Sequence, residues 1–318
     1  IIDLRSMTNL TVLTLDDVTM SDECSSSLLK SISSFTRIKE IKLKHISFDD
    51  CVLDLSRMTN LTVLILHGVT MSEESCISWC NSINIFTHLE ILDLRCITLH
   101  DVVLDLRTLT NLAVLKLDDV TMSDECSRSL CSRINNCTHL EILDLVSIKL
   151  YDCVIDLISL IDLTDLKLDD VTLSDECSRS LCSSINSLTC LIQIKFKNIS
   201  LHDGVLDLNS LNHLRFLKLV NVTMSEKCRI SFSKSISSCI NLKKLYIQNI
   251  TQGYGDHDNM SHEWRKTLDF SLKHCLRLDS CHIDSDTDSD SYSEDTDTDS
   301  DSDGSDSESD SEDTNSDY

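Results

Sequence analysis

Apolar positions repeat along this chain with a fixed period. The phrase L-x-x-L-x-L begins at Leu10, Leu61, Leu112, Leu163 and Leu214, 51 residues apart each time. A second series begins at Ile38, Leu89, Leu140, Leu191 and Leu242 with the same period, 28 residues after the first. The two series define ten units, alternately 28 and 23 residues long. Within a unit, alternation at positions such as Leu13 and Leu15 puts apolar side chains on one face of a short strand. One such strand cannot bury its apolar face alone, so the units must stack and share a continuous core.

The two unit lengths predict different returns. In the long unit the strand is followed by Val18-Thr19-Met20-Ser21-Asp22-Glu23-Cys24. Ser21 suits a helix N-cap, and the two acids suit a helix N-terminus. Cys24, Leu28, Ile32 and Phe35 then recur at helical spacing, an apolar stripe. The short unit has no room for that helix, and its return, Phe48 to Leu55, is expected as extended chain or a tight turn. From Thr251 the period lapses. Residues 251–283 are expected to form a loop and a capping helix from Ser261 to Leu276, with Trp264, Leu268, Leu272 and Cys275 covering the open end of the last unit.

The ten phrases, each followed by a further apolar position, resemble the leucine-rich repeat. The 28-residue units are similar to the ribonuclease-inhibitor subclass, as in NACHT–leucine-rich-repeat receptors, and the resemblance covers about residues 1–250. It implies an α/β solenoid with a curved parallel sheet of about ten strands and helices on the convex side after the long units. The chain departs from the family at one column. Where the family places Asn, sometimes Cys or Thr, for a side-chain ladder, all ten units here have Val or Ile, from Val18 to Ile250. The Ser or Thr that follows in nine units is expected to serve the turn's backbone groups instead. Ile1-Ile2-Asp3-Leu4 matches Val52-Leu53-Asp54-Leu55, so the sequence is expected to start inside a unit, as a fragment of a longer chain.

Charge alters this picture at one end only. The chain carries 53 acids and 28 bases, a net charge of −25. Sixteen of the acids lie in residues 284–318, which hold no base, so the rest of the chain is at a modest −9. That balance excludes a global basic footprint for nucleic acid, and no apolar run is long enough to insert across a membrane. Five Gly and no Pro leave no phosphate-cradling loop. Residues 284–318 are expected as a disordered acidic tail. Ser285, Thr287 and Ser291 in it are phosphoacceptor candidates for an acidophilic kinase, each phosphate adding about −1.5 to −2 charges. Asp299, Asp301, Asp303, Gly304 and Asp310 match a calcium-loop pattern without flanking helices, so the tail is expected to bind divalent cations weakly and diffusely at most. A tether of this charge is also expected to compete for the lysines of the later units, or simply to keep the chain in solution.

Of the sixteen Cys, Cys24, Cys126, Cys177 and Cys228 share one column of the repeat, Cys137 and Cys239 fall in a column with Phe35, Phe86 and Leu188, and Cys51 and Cys153 alternate with Val102 and Gly204. Cys126, Cys177 and Cys228 are therefore expected as buried reduced thiols, which implies a cytoplasmic setting. Seven N-x-S/T sequons favour the alternative, a secreted acidic phosphoprotein binding calcium or mineral through its tail. A serine at Cys126 is expected to cost ~1–3 kcal/mol for burying a hydroxyl. Among the eleven His, His88 and His139 are one repeat apart and His100 and His202 two, along the stack and not around one ion, and no HxxxH or Cys/His cluster occurs, which suits no metal site; no cofactor or catalytic constellation is expected. The resemblance implies a non-enzymatic protein-interaction solenoid, the sensing or autoinhibitory part of an innate-receptor-like protein or an adaptor. Its contacts are expected on the outward residues of the strands: Val63, Ile65, His67, Val114, Lys116, Lys167, Lys195, Lys197, Phe216, Lys218, Lys244 and Tyr246.

Overall fold

The computed structural model describes residues 4–48, 51–150, 153–251, 262–275 and 277–283. The chain divides into two units, Ile1–Asp286 and Thr287–Tyr318. The second lies outside the described residues, and with it all the expectations for residues 284–318, including Ser285, Thr287 and Ser291. The loop expected at 252–261 lies outside them as well.

Eleven strands form one sheet: β1 Val12–Asp16, β2 Glu40–Lys44, β3 Val63–His67, β4 Ile91–Thr98, β5 Val114–Thr121, β6 Ile142–Val146, β7 Asp165–Asp169, β8 Gln193–Ser200, β9 Phe216–Thr223, β10 Lys244–Thr251 and β11 Ser280–Ile283. Each strand pairs in parallel with its neighbours in sequence, and the repeat phrases align in register, as in Leu13 with Ile41 and Leu217 with Leu245. Alternate residues, such as Leu64 and Leu66 on β3, are fully buried, and their neighbours face outward. Buried leucines from every unit join into a single core. Five helices follow the long units: α1 Asp22–Ile32, α2 Glu73–Ser82, α3 Asp124–Arg133, α4 Asp175–Ile185 and α5 Glu226–Ser235. At α2 to α5 the serine before the helix accepts a hydrogen bond from the backbone N–H three residues on; at α1, Ser21 takes the N-cap position without that bond. The short units return without a helix, burying Leu53 and Leu55, and Asp54, Asp105, Asp156 and Asp207 each accept from a backbone N–H two residues later.

Two features depart from the sequence-based expectation. The first is the turn. The residue after each strand core sits in the left-handed region, with φ between 49° and 56° from Asp17 through Gly68 to Asn249, and six of these ten residues are Asp or Asn. The chain then runs extended again. The Val/Ile column is buried from Ile46 to Ile250, and its backbone makes a second short parallel ladder, as in Ile97 with Val120 and Val222 with Ile250. A β-branched residue suits that extended, buried position better than Asn does. Backbone pairing therefore supplies most of what the hydroxyls were expected to supply, although Thr223 and Thr251 do meet at 3.1 Å. Side-chain amides also form a ladder, one residue earlier than in the family: Asn249 donates to Asn221 at 2.9 Å and Asn221 to Asn198 at 2.7 Å.

The second departure is the C-terminal end. The helix is present as α6, His262–Leu272, and packs on α5. Trp264 is buried, its indole N–H donating to the Arg229 carbonyl at 3.1 Å. An eleventh strand, β11, follows and continues the sheet by pairing with β10. The expected count of ten is one short because this unit begins 36 residues after Leu242 and carries Cys281 where the others carry Leu or Ile.

Candidate functional site

The parallel register arranges the outward side chains in three rows across the sheet. The first row holds Val63, Ile91, Val114 and Ile142 on four adjacent strands, an apolar stripe. The second runs Ile65, Asp93, Lys116, Asp144, Lys167, Lys195, Lys218, Tyr246 and His282. The third includes His67, Arg95, Asp118, Val146, Asp169 and Lys197. All twelve residues expected from the sequence lie on this one face. They separate into two regions of different chemistry.

Over β3 to β7 the charges neutralise one another. Asp93, 5% exposed, takes a two-pronged contact from Arg95 at 3.0 and 3.1 Å, and His67 Nε2 lies 3.1 Å from it. Burial pushes the Asp93 carboxyl up, but the hydrogen bonds from His67 and Arg95 outweigh it and hold the group below its ordinary value. Asp144 meets Lys167 at 3.4 Å, and its burial leaves its carboxyl above the usual range despite that lysine. Lys167 is thus tied to a carboxylate, as is Lys197, 3.3 Å from Asp169. The apolar stripe lies alongside these pairs.

Over β8 to β11 the face changes. The Lys195 ammonium lies 5.7 Å from the centre of the Phe216 ring, and that of Lys218 lies 5.4 Å from the centre of Tyr246. The Tyr246 ring stacks on the His282 imidazole at 4.6 Å with an interplanar angle of 13°, and its hydroxyl donates to Gln248 at 3.0 Å. Lys195 and Lys218 meet no carboxylate among the described residues. Aromatic faces orient these cations without neutralising them, leaving a positive strip beside exposed Lys244. The sequence points to most of this set, but not to His282, which becomes visible only once the eleventh unit is read as Leu278-x-x-Cys281-x-Ile283. Ile91 and Ile142 were identifiable as outward residues; their merger with Val63 and Val114 into one stripe follows from the register.

Among the described residues, no group of His, Cys, Asp and Glu is placed to hold a metal ion, and no helix is long and apolar enough to cross a membrane. No protein-family model and no curated protein matches the sequence. Solved structures do match. An internalin (inlF) from Listeria monocytogenes is similar at 19% identity and a TM-score of 0.53, covering 89% of this chain and 70% of that one. A plant peptide hormone receptor, RGFR1 in complex with RGF2, is similar at 14% identity and a TM-score of 0.43, over 78% of this chain and 41% of that one. A leucine-rich-repeat protein of Leptospira interrogans has 15% identity and a TM-score of 0.27, over 88% and 91%. At 19% identity the internalin likeness is one of fold, and it agrees with the repeat and the consecutive parallel pairing: the fold is a leucine-rich-repeat solenoid.

Proposed function

We propose that this chain is a non-enzymatic protein-interaction solenoid that binds an acidic segment of a partner protein on the open face of β8 to β11. The observation that carries this reading is the pair Lys195 and Lys218, poised over Phe216 and Tyr246 with no carboxylate among the described residues to neutralise them. A partner's carboxylates would supply the missing charge, and Phe216 and Tyr246 would supply aromatic anchors. The setting we favour is cytoplasmic, supported by the burial of ten of the sixteen cysteines in the shared core. There the chain would act as the sensing or autoinhibitory part of an innate-receptor-like protein, or as an adaptor.

Affinity capture with the full chain and with a Lys195→Glu/Lys218→Glu variant of matched thermal stability tests the reading. The expected result is at least one acidic protein retained by the first and lost from the second, with retention weakening as salt rises. Identical sets of retained proteins would refute it.

A further inference from the structure

The backs of the long-unit helices carry a second repeat column. Near the end of α3 and α4 a residue meets the return segment 22 residues later, Cys131 at Cys153 and Cys182 at Gly204. At this spacing the sequence pairs Leu29 with Cys51, Cys80 with Val102, Cys131 with Cys153, and Cys182 with Gly204. At Gly204 an added Cβ would stand 2.6 Å from the Cys182 sulfur, so a large residue on one side requires a small one on the other. Of these four pairs, one has sulfur on both sides. Cys131 Sγ and Cys153 Sγ lie 2.8 Å apart, both buried, at 2% and 5% exposure. That separation is inside the contact distance of two sulfurs and about 0.8 Å beyond a disulfide bond, so a small movement suffices to join them.

We propose that Cys131 and Cys153 are a redox modification site, forming a reversible disulfide when the chain meets a peroxide. A peroxide is small enough to reach a buried thiol, and Cys153 is the more exposed of the two. Its thiolate attacks one peroxide oxygen, the O–O bond breaks, and sulfenic acid and water result. Cys131 then attacks the Cys153 sulfur; the S–S bond forms and the sulfenic oxygen leaves as a second water. Two thiols lose two electrons and two protons to one hydrogen peroxide. The bond ties the end of α3 to the next return and encloses β6, which carries Asp144 on the open face. Cys177 also hydrogen-bonds Cys153 and is the competing partner.

The test uses the full chain, reduced, exposed to hydrogen peroxide, then alkylated in denaturant and mapped without reduction. The expected result is a fall from sixteen titratable thiols to fourteen and a linked peptide pair containing Cys131 and Cys153, both reversed by dithiothreitol. Cys153→Val, which recreates the Cys80 and Val102 pairing of the preceding long unit, keeps the packing and should abolish the loss of both thiols. A link from Cys153 to Cys177, or full alkylation of Cys131 and Cys153 while other thiols oxidise, would overturn the proposal.

Discussion

Cys24, Ser75, Cys126, Cys177 and Cys228 occupy one column of the repeat, in the first turns of the helices. The exchange of residue types in the other cysteine columns already pointed to small buried groups, and Cys126, Cys177 and Cys228 are fully buried. A second role of this column could not be read from spacing, because the partner is backbone. The Leu53 N–H donates to Ser75 Oγ at 2.9 Å, and the N–H groups of Leu104, Ile155 and Leu206 stand in the same relation to Cys126, Cys177 and Cys228. The side chain is thus an acceptor for a return segment that has no helix of its own. That reverses the expected effect of a serine. Ser75 shows the hydroxyl satisfied at this position, so Cys126→Ser should change stability by less than ~1 kcal/mol in urea denaturation. Cys126→Ala, which leaves the Leu104 N–H unpaired as well as a small void, should cost about 1–3 kcal/mol. Equal losses for the two variants would show that packing alone holds the column.

At the scale of elements, the strands and the five long-unit helices were legible because their patterns recur without insertion. The C-terminal end was legible only in part. The spacing of Trp264, Leu268 and Leu272 marks α6, but β11 is disguised by Cys281 and by the longer interval before it. With the structure known, the unit reads clearly: Cys275 falls three residues before Leu278, as Cys239 falls three before Leu242. α6 thus serves both as a covering helix on α5 and as the link to one more strand. Arg229 shows how tightly this end is closed. It is 3% exposed, with its guanidinium 5.9 Å from the centre of the Trp264 ring and its carbonyl accepting the indole N–H. Trp264→Ala should cost about 3–5 kcal/mol. In a stacked array each unit touches only its neighbours, so the loss should be local. Hydrogen exchange should quicken in α5, β10 and β11 and stay unchanged in β1 to β4. A uniform rise across the sheet would mean that the array unfolds as one block.

The described repeat units share one core, and that core is rich in thiols, which makes its stability depend on pH from the alkaline side. Burial pushes Cys137 and Cys239 up to about 12, and Cys182 is raised by the same cause. In the unfolded chain a cysteine ionises near 8.5. Below that value both states hold the proton and the thiols contribute no pH dependence. Between about 8.5 and 12 the unfolded chain releases protons that the folded chain retains, so stability falls as pH rises. At pH 10 the effect is on the order of 2 kcal/mol for each such thiol. Leu188 fills the same column as Cys137 and Cys239, so leucine is a compatible replacement at both. Chemical denaturation at pH 7.5 and pH 10 should therefore show a large alkaline loss for the natural chain. The loss should be smaller by about 4 kcal/mol for Cys137→Leu/Cys239→Leu. Lysine and tyrosine ionisation is common to both proteins and cancels in the comparison. If the double variant lost as much stability as the natural chain, the two thiols would have to ionise as readily in the folded core as in water, and the core would have to admit solvent at a column whose members Cys137, Leu188 and Cys239 are fully buried.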